Sequence, residues 1–193
     1  MKKSVRNFLV NVKINLTRSS KPTQAQGLCG LTHCYDDTPL ACFLREKMEI
    51  RELTKNDLPS LLELYIQLSE NNKNITLEKS KEIWIKQIQE NPNIKYFGAV
   101  ENGKVVSTCY CVIIPNLTNF CQPICFVENV VTDKNHRNQG LGKKVIDKAI
   151  ETAKKHNCYK VILLSGIARK EAHQFYENLG FSGETKKAFD MRI

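Results

Sequence analysis

The stretch FVENVVTDKNHRNQGLGKKVIDKAI, residues 126–150, decides how this chain is read. Residues 124–131 are apolar and rich in β-branched side chains, which suits a buried strand. A polar turn follows. From Leu141 the apolar residues recur as Val145, Ile146, Ala149, Ile150 and Ala153, which lays one stripe along a helix and leaves Lys143, Lys144, Asp147, Lys148 and Lys154 to water. The segment Arg137-Asn138-Gln139-Gly140-Leu141-Gly142 therefore sits where a strand hands over to a helix.

The first turn of a helix has N–H groups without intrahelical partners, and the aligned peptide dipoles place partial positive charge there. Such a place suits an anion. Gly140 and Gly142 carry no side chain to hold a phosphate off the backbone, and Arg137, Lys143 and Lys144 add formal charge. A pyrophosphate fits this description. Glycines also mark ordinary turns and helix starts, so on spacing alone both readings stay open.

Outward from this turn, the chain of 193 residues is long enough for one domain with a sizeable core, or for a smaller domain with a tail. Its hydrophobic content of 41% and charged content of 25% are ordinary for a globular protein. No apolar run approaches the ~18 to 20 residues of a membrane span, and no internal repeat is present. The net charge of +9 suits nucleic acid, a membrane surface or an anionic cofactor. Its distribution decides against the first. Residues 1–47 hold eight Lys or Arg against three acids, whereas residues 48–193 hold twenty-one against seventeen. With no recognition-helix motif and few aromatics among the basic residues, neither nucleic acid nor a membrane is an expected partner.

The eight cysteines include no CxxC pair. Cys109 and Cys111 alternate on one predicted strand, and Cys125 and Cys158 lie in or beside apolar runs. Buried free thiols in a reducing cytoplasm are the expectation, and the cytoplasm is the expected location. Cys29, Cys34 and Cys42, with His33, match no established zinc spacing, so no metal is expected.

Residues 1–47 read as a basic, mostly disordered extension, with no acid before Asp36. An organelle transit peptide and an upstream extension of a gene whose start is Met48 both fit it. From there the pattern gives a strand at 49–53, a helix at 58–69 that Thr54 and Asp57 can cap, and a second helix at 77–90 stopped by Asn91-Pro92. Strands at 95–101 and 104–114 follow, joined by Asn102-Gly103, a pair that accepts positive φ at both central turn positions. After the helix that begins at Leu141 come a strand at 160–165, a helix at 170–179 closed by Gly180, and a last strand at 187–193. Strand, helix, helix, hairpin, strand, helix, strand, helix, strand is a mixed α/β domain.

With that order in place, RNQGLG at 137–142 resembles the R/Q-x-x-G-x-G/A signature of the GNAT superfamily of acyl-coenzyme A dependent N-acyltransferases. AHQFYENLGF at 172–181 resembles that superfamily's second block, an alanine and an F-Y pair on a helix ending in G-F. The R-x-x-A-H-x-F-Y form also resembles the branch that holds aminoalkylphosphonate acetyltransferases. The resemblance covers residues 48–193 and implies an α+β fold: a mostly antiparallel mixed sheet of about six to seven strands flanked by about four helices. It also implies acetyl-coenzyme A as acyl donor, with a homodimer among the assemblies open to the fold.

Carried over residue by residue, the resemblance implies that N–H groups from Asn138, Gln139, Gly140, Leu141, Gly142 and Lys143 hold the coenzyme A pyrophosphate, with Arg137 opening the loop. Main-chain groups of Val130 and Val131 would pair with the pantetheine arm, admitted where the fourth and fifth strands splay. Tyr176 matches the tyrosine beside the coenzyme sulfur. Arg169 stands where many relatives have asparagine, which puts one pantetheine contact in doubt.

An alkylammonium near pKa 10 is about one part in a thousand neutral at pH 7, so a base is useful. Glu128 lies two residues before Val130, on the same face of a regular strand, and could take the proton directly or through water. The amine would attack the thioester carbonyl, a backbone N–H of Val130 or Val131 would stabilise the oxyanion, and Tyr176 would protonate the departing thiolate. No metal enters this scheme. Each role has a structural rival: Tyr176 packing on the sheet, Glu128 bonded to a neighbouring strand, His136 merely flanking the loop, and His173 a helix histidine. A small-molecule primary amine is the expected acceptor. A peptide or protein acceptor, and a non-catalytic acyl-coenzyme A sensor, remain alternatives.

Overall fold

The computed structural model describes residues 48–193. The basic extension, with Cys29, His33, Cys34 and Cys42, lies outside the described residues. In chain order the elements are β1 (Met48–Glu52), α1 (Leu58–Ile66), α2 (Leu77–Ile83), β2 (Ile94–Glu101), β3 (Lys104–Ile114), β4 (Ile124–Thr132), α3 (Leu141–Lys155), β5 (Lys160–Leu163) and α4 (Lys170–Asn178). The predicted order holds as far as α4.

Local chemistry sets the first elements. Thr54 and Asp57 close a reciprocal capping box ahead of α1, and the Arg51 guanidinium grips the Asp57 carboxylate at 2.9 and 2.8 Å. Asn102 and Gly103 take φ of 50° and 80°, the left-handed turn their residue types permit, and so return β2 into β3.

The strands lie in the order β1-β2-β3-β4-β5, antiparallel through β4, with β5 parallel to β4. On one face α3 presents its predicted stripe, with Leu141, Val145, Ile146, Ala149 and Ala153 buried and Ile150 half-buried. That stripe packs on Phe97, Cys109, Cys111, Cys125 and Val127. On the other face α1 and Trp84 bury Leu58, Leu61, Leu64 and Tyr65 against Val105 and Val131. Helices on both faces give the sheet two cores, the layered solution for an α/β chain.

Three expectations change. The strand at 187–193 is absent, so the sheet has five strands rather than six or seven. Phe189, Met191 and Ile193 alternate as a strand would, but a strand needs an edge to pair with, and Phe189 and Met191 stand 88% and 86% exposed. The second predicted helix changes character, running as α-helix to Ile83 and then as one π turn over Trp84–Ile88.

The third change lies in β4. Asn129 takes φ of 51°, and the register jumps from Tyr110↔Glu128 to Thr108↔Val131, so Asn129 and Val130 together oppose Cys109. This is a β-bulge, and it reverses the alternation of side chains. Glu128 stays with Tyr110 on the α1 side, while Val130 packs against the core under α3. The two do not share a face, as a regular strand would require.

Candidate active site

β4 and β5 pair only along Ile124–Val127 and Lys160–Leu163. Past Val127 the two strands part, and residues 128–132 of β4 continue with no strand on that side among the described residues. The splay implied by the resemblance is present, and the bulge at Asn129 falls where it begins.

From the end of β4 the chain makes a short turn, Lys134–His136, capped by the Asp133 carboxylate accepting from Asn135 N–H at 2.9 Å. Asn138 and Gly140 then take φ of 62° and 73°, which aims the chain into α3. No side chain caps α3, so its first-turn amides keep their donors. Nothing lies within 4 Å of where a Gly140 side chain would begin, which leaves the approach to these amides open. Gly142 does different work. A Cβ there would meet the Phe175 ring at 3.3 Å and the Thr132 hydroxyl at 3.4 Å, so its bareness lets α4 pack against the start of α3.

Arg137 is exposed and reaches back to the Thr132 carbonyl at 3.4 Å, while Gln139 leans on the Asn135 carbonyl at 3.5 Å. Lys143 directs its ammonium down the helix to Asp147, at 2.8 Å, so only its backbone N–H faces the turn. The free positive charge at this end of α3 is therefore that of Arg137 and the helix dipole more than of Lys143.

Tyr176 sits half-buried on α4 between Phe175 and Phe181, with ring centroids at 5.3 and 6.2 Å. Burial raises its phenol above the ordinary value. The Arg169 charge opposes that rise, and Cys109 and Glu128 add to it. Tyr176 thus lies within electrostatic reach of both Glu128 and Cys109. The Glu128 carboxylate folds back to accept from its neighbour's N–H, Asn129, at 3.3 Å.

Two features escaped the sequence. His136 does more than flank the loop: Nδ1 lies 2.9 Å from Asp133 and Nε2 lies 2.9 Å from Glu101 at the end of β2. The Gln67 amide, just past α1, donates to Asp133 at 2.7 Å and accepts from Lys134 N–H at 3.0 Å. Asp133 foremost, then Glu101, raises the pKa of His136, and Gln67 with His136 holds Asp133 down at about 2. The ring is thereby kept as a donor to both carboxylates, and the entry to the glycine turn is tied to α1 and β2. The second feature is a rung of tyrosines beside Glu128, taken up below. A histidine three residues after an aspartate was a visible signal for the first; nothing local announced the second.

Among the described residues Cys109, Cys111 and Cys125 are buried free thiols, as expected, and burial pushes Cys109 up to about 12. No cluster of three metal-binding side chains occurs among the described residues, and no helix there is long and apolar enough to cross a membrane.

A mixed sheet that opens beside an uncapped helix start is the layout implied by the resemblance to acyl-coenzyme A dependent N-acetyltransferases. The chain belongs to the acetyltransferase (GNAT) family, whose sequence pattern matches residues 58–181. It is 30% identical over 192 residues to an uncharacterized N-acetyltransferase of Methanocaldococcus jannaschii, covering 92% of this chain and 84% of that one. It is 32% identical over 142 residues to a glucosamine 6-phosphate N-acetyltransferase of Trypanosoma brucei brucei, covering 72% of this chain and 92% of the relative. Among solved structures, the glucosamine-6-phosphate N-acetyltransferase of Arabidopsis thaliana superposes with a TM-score of 0.68 at 27% identity, over 76% of this chain and 99% of its own.

Proposed function

We propose that the protein moves an acetyl group from acetyl-coenzyme A to a primary amine on a small molecule, by direct attack on the thioester. The observation that carries this reading is the uncapped start of α3, with open space before Gly140, at the mouth of the β4–β5 split that Glu128 and Tyr176 flank. In this reading the amides of residues 138–143 hold the pyrophosphate and Arg137 closes over it. The pantetheine lies along the unpaired edge of β4, against the main chain of Val130 and Val131.

Glu128 takes the proton of the incoming ammonium. The nitrogen lone pair then bonds to the thioester carbon, and a β4 backbone N–H steadies the oxyanion. As the C–S bond breaks, the electron pair leaves on sulfur, which takes its proton from Tyr176, and the second proton of the acylated nitrogen passes through water to restore the phenol. The raised phenol suits a group that must arrive at the reaction protonated. Relatives named for acetylating glucosamine 6-phosphate support a small-molecule amine over a protein.

The test is thiol release from acetyl-coenzyme A over a wide panel of amines, with Tyr176→Phe beside the parent. Amine-dependent release that falls in the variant is the expected result. Coenzyme binding without amine-dependent release would return the protein to the non-catalytic sensor reading.

A further inference from the structure

The α1 side of the sheet carries a group of side chains that the donor chemistry leaves idle. Tyr96 of β2 lies opposite Tyr110 of β3, and Tyr110 lies opposite Glu128 of β4, so the three occupy one rung of the sheet. The two tyrosine rings stack with centroids 4.8 Å apart and planes 16° from parallel, and Trp84 leans on Tyr96 at 5.0 Å. From α1 comes Tyr65, only 8% exposed, packed in the same core as Tyr96. Among the described residues its hydroxyl has no hydrogen-bond partner of full geometry.

A buried hydroxyl without a partner is uncommon in native folds and asks for an explanation. Its surroundings supply one. The Tyr65 phenol is raised chiefly by burial and next by Tyr96. The Asn129 side chain, as a hydrogen-bonding neighbour, pulls the other way, and Tyr110 adds to the rise. Tyr110 is itself raised by burial and by the charge of Glu128. Three phenols, the Asn129 side chain and one carboxylate thus gather at the bulge that begins the split, and the neighbours that chiefly shift Tyr96 and Tyr110 are each other's kind and Glu128 rather than a Lys or Arg.

A primary ammonium has three N–H donors and no acceptor. Phenol oxygens and a carboxylate offer it acceptors, and the carboxylate takes up the proton that must leave. A negative charge next to the nitrogen would face the same carboxylate at close range. We infer that Tyr65, Tyr96 and Tyr110, with Glu128, seat the primary ammonium of the acceptor, and that the acceptor bears no negative charge on the carbon attached to that nitrogen. The inference rests on the acetyl-transfer reading given above. Tyr96 also borders a recess of about 450 Å³, with Glu52, Trp84, Ile88 and Lys95.

The experiment uses the full chain, with Tyr65→Phe and Tyr110→Phe, against primary alkylamines, their trimethylammonium counterparts as inhibitors, and α-amino acids. Coenzyme A affinity is followed by calorimetry and amine binding by the carbon resonances of ζ-labelled tyrosine. Each variant is expected to raise KM for the amine about ten-fold, the loss of one hydrogen bond to a charged group, while kcat moves little and coenzyme A affinity stays put. Tyr65→Phe also keeps or raises Tm, because it removes an unpartnered buried hydroxyl. That combination separates a binding role from a packing one. Trimethylated amines, which cannot donate, inhibit poorly, and α-amino acids are poor acceptors. Unchanged KM in both variants, or equal potency of trimethylated and primary amines, overturns the assignment while leaving acetyl transfer standing. A panel that neither turns over nor shifts any tyrosine resonance overturns it as well. Loss of coenzyme A binding in the parent chain would instead bring down the reading beneath it.

Discussion

The donor and acceptor halves proposed for this site are built in opposite ways. The donor half comes from one continuous run, residues 128–143, in which bulge, strand end, turn and helix start follow one another along the chain. The acceptor half is drawn from α1, β2, β3 and β4, through Tyr65, Tyr96, Tyr110 and Glu128, residues that meet only through sheet register and helix packing. A site that binds through main-chain amides needs only the right backbone path, which local residue types dictate. A site that binds through side chains needs several strands in register. Glu128 is the residue this reading assigns to both, and the bulge at Asn129 turns Val130 to the α3 face while Glu128 keeps its place beside Tyr110 on the α1 face.

Glu128→Gln tests that junction and carries the largest expected effect. Loss of a positioned general base removes about 10²- to 10⁴-fold in rate. A fall in kcat of at least about 100-fold is therefore expected, with coenzyme A affinity by calorimetry unchanged, because the amides of the turn are untouched. A variant within a few-fold of the parent would make Glu128 a structural carboxylate and move the proton step elsewhere, and the division of labour at the bulge would fail with it.

The donor half is broken more gently through Gly140. Its φ of 73° lies in the left-handed region, and the space around it is open, so Gly140→Val meets no clash but imposes backbone strain. Such strain is worth about 1–3 kcal/mol. If the turn relaxes to relieve it, its amides lose their common aim, and coenzyme A affinity should fall about ten-fold or more, since about 1.4 kcal/mol is one factor of ten. KM for the amine should hardly change. An amine KM that moves in step with coenzyme affinity would show that the halves are coupled rather than separable.

This asymmetry also explains what could be read without coordinates. The strand into α3, the buried stripe from Leu141 to Ala153, and the Asn102-Gly103 turn each follow from near neighbours in sequence, and each is present. The bulge was hidden, because Glu128-Asn129-Val130 reads as regular alternation until Cys109 is known to sit opposite two residues. The tyrosine rung was hidden for the same reason: Tyr96 and Tyr110 are fourteen positions apart, and only the hairpin register stacks them. The missing last strand failed the other way. Its alternation was legible, but pairing depends on an edge that the segment itself does not describe.

The smallest expected effect lies where the two halves are tied together. His136 bridges Asp133 at the turn and Glu101 at the end of β2, and its pKa is raised above the ordinary ~6.5, first by Asp133 and then by Glu101. A raised pKa means the folded loop prefers the protonated ring. The clamp's contribution is thus whole below about pH 6.5 and is lost as pH rises through the folded value. Asp133, held at about 2, stays ionised across that range and contributes no slope of its own. Coenzyme A affinity, measured by calorimetry without amine, should therefore weaken about two- to five-fold toward alkaline pH, the scale of a partly exposed ion pair. His136→Gln keeps a neutral hydrogen-bonding side chain, so it should start at the weaker value and show no such limb. A parent affinity that is flat with pH, or a variant that keeps the limb, would show that the turn holds its shape without the clamp.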